Sequence, residues 1–137
     1  MERRKIGEIL IKWKAITKAQ LEEALQIQKG TKKWLGDILV EKGYITRKAI
    51  MEILSKEYLI PFVDLSKEKI DKKIVNMFLP NLLKSYPAFP IRKEGDFLLV
   101  AVNDPLDLRP SYDLGRLGGC FVKYVLALRE QIREFID

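Results

Sequence analysis

The sequence predicts an α+β protein, with an N-terminal all-helical lobe of two tandem helix-turn-helix repeats and a small C-terminal α/β lobe with a short sheet. Three observations predict it. Residues 5–28 recur at 34–57 with the same glycine, threonine and apolar positions. Within each copy the apolar residues fall three and four apart, the spacing of one helical face. Beyond residue 58 the pattern changes to short apolar runs separated by Pro, Gly and Asn-Asp punctuation, as strands and turns require. The helical repeat lobe is therefore expected over 1–58 and the α/β lobe over 59–137.

The two copies are 29 residues apart, Ile6-Gly7-Glu8-Ile9-Leu10-Ile11 returning as Leu35-Gly36-Asp37-Ile38-Leu39-Val40. Each reads as a short helix, a turn and a longer helix. Thr17 and Thr46 stand at the N-cap positions of the longer helices, each behind an isoleucine that can act as a hydrophobic staple. Gln20 completes a capping box for Thr17, whereas Ala49 leaves the box of Thr46 incomplete. Leu21, Ala24, Leu25 and Gln28 then share one face, as do Ile50, Ile53, Leu54 and Glu57. Gly30-Thr31 and Gly43-Tyr44 read as breaks. Gly7 and Gly36 sit inside short helices, where glycine costs up to about 1 kcal/mol relative to alanine. Something must come close to the backbone there, either a neighbouring helix or a ligand.

In the second lobe, Leu59 to Leu65 is an extended linker, with Pro61 keeping Ile60 out of helix. Lys69 to Phe78 is expected to form a short helix, and Pro80 to open another around Leu82-Leu83. Phe89–Arg92 and Phe97–Val102 read as strands joined at Glu94-Gly95, and Asn103-Asp104-Pro105 ends the second. A helix over Leu108–Leu117 stops at Gly118-Gly119. A strand over Cys120–Leu126 and a helix over Leu128–Ile136 complete the chain. Asp104 and Asp107 are read as turn and cap residues, Cys120 as a buried small hydrophobe, and Arg129 with Arg133 as a solvated helix stripe.

Composition narrows the function. The 137 residues are 47% hydrophobic and 32% charged, so the chain can bury a core. No apolar run approaches the roughly 20 residues of a membrane-spanning helix. The absence of histidine removes imidazole-based catalysis and His-metal sites, and Cys120 alone supports neither a disulfide nor a zinc centre. No phosphate-binding P-loop or dinucleotide-binding glycine motif occurs. A binding or docking module, not an enzyme, is expected, with no cofactor and no metal. The net charge of +6 resides almost wholly in the first half. Residues 1–60 hold 13 basic and 8 acidic side chains, and 61–137 hold 12 and 11. Such a half attracts anions, and a duplicated unit suits a twofold ligand such as a cyclic dinucleotide.

The repeat resembles the MshEN domain, the N-terminal domain of type II secretion and type IV pilus assembly ATPases. In that family a duplicated motif opens on Arg-Leu-Gly, runs through spaced leucines and an isoleucine, and ends in Gln. Members with both motifs intact bind cyclic di-GMP. Here the opening reads Lys5-Ile6-Gly7 and then Trp34-Leu35-Gly36. Leu10, Ile16, Leu21 and Leu25 fill the apolar slots of the first copy, and Leu39, Ile45, Ile50 and Leu54 those of the second. Gln28 closes the first copy, and Glu57 stands in its place in the second. Leu79-Pro80, Tyr86-Pro87, Pro90 and Val100–Pro105 also have likenesses in the family, so the resemblance covers nearly the whole chain.

The resemblance implies a nucleotide lying across the two short helices. Gly7 and Gly36 would permit approach, and Ile6, Leu10, Leu35 and Leu39 would pack on the bases. Lys5 and Gln28 would supply polar contacts, and Trp34 could stack. Lysine lacks the guanidinium fork that reads a guanine edge, Trp34 cannot donate it, and Glu57 repels phosphate. Arg4 and Lys33 each sit one position early and could compensate. Weak binding is the expectation. The implied partners are a secretion or pilus ATPase motor, in cis or in trans, and the cytoplasmic domain of an inner-membrane platform protein. The implied location is the cytoplasm, peripheral at the inner membrane through a partner. One alternative is a pure protein-docking module with Trp13 and Trp34 as exposed anchors. Another is a basic nucleic-acid binder.

Overall fold

Thr17 and Thr46 start the two longer helices of the first unit as their side chains dictate. The computed structural model describes residues 3–137, with side chains from Ile6 onward. It places α1 at Arg3–Lys12, α2 at Lys18–Gln28, α3 at Leu35–Glu41 and α4 at Arg47–Tyr58. Thr17 and Gln20 form a reciprocal capping box. Thr46 accepts only the amide of Ala49, 3.1 Å away. The chain divides into two compact units, one ending at Leu59 and the other beginning at Ile60.

The repeat extends to backbone geometry. Lys14 and Gly43 are equivalent positions, and both adopt the left-handed conformation, at φ 61° and 78°. Each lets the next residue close the short helix before it, Ala15 N–H donating to Leu10 O and Tyr44 N–H to Leu39 O, 2.9 and 3.0 Å. The second copy meets this requirement with glycine, while the first strains a lysine. Lys14→Gly is therefore expected to stabilise the helical unit by about 0.5–1 kcal/mol, read as a higher thermal midpoint. A lower midpoint would show that the left-handed turn carries no strain.

The core of this unit comes from the periodic positions. Ile6, Ile9, Leu10 and Ile16 are buried with their repeat mates Leu35, Ile38 and Leu39, and with Leu21, Ile50, Met51 and Leu54. α3 packs against α1, α2 and α4, so the two short helices are neighbours. Glu23 of α2 accepts from the Tyr44 hydroxyl and pairs with Lys42 at 2.9 Å. These donors, the tyrosine foremost, hold its carboxyl below the usual range.

In the second unit β1 (Ala88–Glu94), β2 (Phe97–Val102) and β3 (Phe121–Leu126) form a sheet in that order. β1 and β2 are antiparallel through the two-residue turn Gly95-Asp96. β2 and β3 are parallel, with α7 (Arg109–Gly118) between them. On one face Phe89, Ile91, Leu99, Ala101 and Val125 pack with Leu65 and with Ile132 of α8 (Arg129–Ile136). Alternation turns Val100, Val122 and Tyr124 to the other face, beside α7. Burial on both sides is why β2 reads as an unbroken apolar run. Tyr124 anchors α7: its hydroxyl donates to Asp107 O at 2.7 Å and accepts from Ser111 N–H at 3.0 Å. Burial pushes this phenol up to about 12, so it stays a donor even at pH values where a free tyrosine ionises.

Two expectations need correction. The helix read over Lys69–Phe78 is a single turn, α5 (Lys72–Val75). Asp71 caps it and donates its own N–H to Ile91 O, 2.9 Å away, so Lys69 and Ile70 stay outside the helix. Part of the linker before Leu65 is also sheet. Val63 N–H donates to Leu126 O at 2.8 Å and Leu126 N–H to Pro61 O at 2.7 Å, with Phe62 bridging Leu126 in parallel. Pro80 opens α6 (Pro80–Ser85) at its first position.

Candidate functional site

The twin glycines lie at matching places on α1 and α3, and each is covered by a different side chain. A Cβ added to Gly7 would come within 2.5 Å of Leu21 Cδ1. A Cβ added to Gly36 would meet the Trp34 indole at 2.3 Å. Both glycines make room for a packed group, leucine in one copy and the motif's own tryptophan in the other. Leu10, Leu35 and Leu39 have no exposed surface and Ile6 almost none. They form the bed beneath this pair of helices.

Among the described residues, the polar side chains Gln28, Lys33 and Glu57 already have protein partners. Gln28 is 8% exposed, and its amide donates to Lys33 O at 3.1 Å, tying the end of α2 to the segment before α3. Lys33 Nζ pairs with Glu41 at 2.9 Å. Glu57, in the glutamine slot of the second copy, accepts from Lys12 Nζ and from Trp13 Nε1, each at 3.0 Å. That contact joins the end of α1 to α4. The side chains of Arg4 and Lys5 lie outside the described residues. Of the two tryptophans expected to be exposed, Trp13 is, at 40%, with its indole N–H donated to Glu57, whereas Trp34 is half-buried on Gly36.

Other candidates in the second unit resolve into structure. Asp104 accepts from Leu106 N–H at 2.9 Å, and burial raises its pKa. Asp107 pairs with Arg109 at 2.7 Å, which lowers its own. Their environments push the pair apart while both serve as turn caps. Cys120 is half-exposed, because the turn at Gly118-Gly119 leaves it just ahead of β3. Arg129 is half-buried and does not join Arg133 in a solvated stripe. Sequence reading missed an aromatic pair: Phe97 and Phe121 face each other across β2 and β3, ring centroids 5.8 Å apart, both largely exposed. Its signal was weak, a phenylalanine opening each strand just after a glycine-bearing turn.

Comparison with known proteins shows the family. The model of the MshEN domain family matches residues 58–137, more than half of the chain. The chain belongs to the MshEN domain family. The structure of MshE with cdg (cyclic di-GMP) is 29% identical, with a TM-score of 0.85 and 96% of each chain covered. The N-terminal domain of XpsE shares the fold, with a TM-score of 0.61 at 19% identity over 99% of this chain and 95% of that one. The type IV pilus assembly ATPase PilB of Myxococcus xanthus is 28% identical over 97% of this MshEN chain. Bacteriophage adsorption protein B of Escherichia coli K12 is 28% identical over 94%. This MshEN chain spans 24% and 17% of those two relatives' lengths. Among the described residues, no helix is long and apolar enough to cross a membrane.

Proposed function

We propose that this chain is a non-catalytic regulatory and docking domain of the secretion and pilus ATPase kind, and that α1 and α3 together receive cyclic di-GMP with low affinity. The observation that carries this reading is the adjacency of two repeat-equivalent short helices, each bearing a close-packed glycine over a buried aliphatic bed. The likeness to MshE, solved with cdg, supports it. Lys5, Ile6, Gly7, Leu10 and Gln28 would serve the first half-site, and Trp34, Leu35, Gly36 and Leu39 the second. Low affinity follows from the partners already in place. A ligand must displace the Trp34 ring from Gly36 and take the Gln28 amide from Lys33 O, and it then meets the anionic Glu57. Calorimetric titration with cyclic di-GMP is expected to give micromolar or weaker affinity. The combination Lys5→Arg, Trp34→Arg and Glu57→Gln is expected to tighten it about tenfold or more, since each change supplies or frees a charge-assisted donor. No heat with either protein would refute the site.

The exposed Phe97–Phe121 pair favours a second reading, a protein-docking face that works without nucleotide. Its partner would be the cytoplasmic domain of an inner-membrane platform protein, which would hold this chain at the membrane from the cytoplasmic side. An ATPase motor, in cis or in trans, would receive the signal. Under this reading the platform domain binds the wild-type chain with no nucleotide present, and Phe97→Ser with Phe121→Ser abolishes binding. Binding unchanged in that variant would eliminate the aromatic pair as the docking face.

A further inference from the structure

The second unit is almost neutral overall, yet it concentrates positive charge at one concavity. Lys69, Lys72, Lys73, Arg92 and Lys93 line a cavity of about 480 Å³ whose remaining walls are Ile70 and Asp71. Arg92 is neutralised in place. Its guanidinium meets Glu68 at 3.1 Å and Glu94 at 2.9 Å, and donates to Lys69 O at 3.1 Å. The four lysines are exposed, and among the described residues none has a carboxylate partner. The Asp71 carboxylate accepts the backbone N–H of Lys73 at 3.0 Å and sets one negative charge against the four lysines, which leaves the hollow with a surplus of three positive charges. Four like charges around one hollow repel one another, a cost that a bound polyanion removes.

The hollow is also braced. Asp71 N–H is bonded to Ile91 O where β1 bulges between Pro90 and Arg92, and Arg92 holds the carbonyl of Lys69. These two ties fix the 69–73 segment against β1, so the lysines are presented from a set frame. A volume near 480 Å³ suits a compact ligand. No aromatic side chain lines the hollow, so a base would gain no stacking there. Ammonium groups act as point charges and suit several separate anionic oxygens better than one planar carboxylate.

We propose that this cavity binds a small oligophosphate through its phosphate groups alone, whether the phosphates are free or carried by a nucleotide. The site is separate from α1 and α3 and does not depend on cyclic di-GMP binding. The test is an amide-resolved NMR titration of the full chain with sodium triphosphate, and separately with ATP and GTP, at about 50 and 200 mM salt. Saturable shifts confined to residues 69–73 and 92–93 are expected, with affinity falling as salt rises. Equal affinity for triphosphate, ATP and GTP would assign recognition to the phosphates, whereas a preference for one base above about tenfold would overturn that part of the proposal. Lys72→Glu with Lys93→Glu is expected to weaken binding at least about tenfold without moving the thermal midpoint, because both side chains are exposed. Shifts unaffected by that variant would place binding elsewhere and overturn the proposal. Capture by phosphatidylglycerol vesicles with no response to triphosphate would overturn it too, in favour of a membrane-facing surface.

Discussion

Leu39→Ala is expected to unfold most of the helical unit. Leu39 sits in α3, the helix that packs on the other three of the repeat, and has no exposed surface. Truncating such a leucine removes its transfer energy and leaves a cavity, a loss of about 2–5 kcal/mol. A unit of some sixty residues buries little surface and holds only about 5 kcal/mol in reserve. Hydrogen exchange should show amides of α1–α4 losing protection, while those of β1–β3 keep it. Leu10→Ala, at the equivalent position of the first copy and equally buried, should cost a similar amount. A thermal midpoint within a degree or two of wild type would show that the short helices carry no shared core.

Val100→Asp is expected to abolish the fold of the second unit. Val100 lies in the central strand, between Pro90 of β1 and Tyr124 of β3, with no exposure. A carboxylate there has no cationic partner and no water, and an unpaired buried charge costs several kcal/mol even after relaxation. Val100→Thr, nearly the same shape with one hydroxyl, should cost only about 1–3 kcal/mol and stay folded. The check is amide dispersion in the NMR spectrum, collapsed for the aspartate variant and retained for threonine. Full dispersion with aspartate would mean that the strand has a route to solvent.

Features decided within a few residues were legible in the sequence. The 29-residue repeat, the threonine caps, the hairpin turn at Gly95 and the proline that opens α6 all depend on near neighbours. Features decided across the chain were not. Lys69–Phe78 has helical apolar spacing, but Asp71 is drawn to Ile91, twenty residues on, and the helix shrinks to one turn. Pro61–Val63 looks like a plain linker until Leu126 supplies its partner. At the candidate site both glycines could be picked out, but not what covers them. The seat of Trp34 on Gly36 is a rotamer choice, and the tie between Glu57 and Trp13 joins side chains 44 residues apart. The lysine hollow is not legible in the sequence because its members come from two segments of a half that is nearly neutral in sum.

The short pairing of Pro61–Val63 with Leu126 bears on how this protein can be divided. A fragment beginning at Leu65 would leave the outer rim of β3 with idle amide and carbonyl groups, an invitation to recruit a strand from another molecule. Cutting ahead of Ile60 retains the natural cover, and the fragment should stay monodisperse where the shorter one clumps.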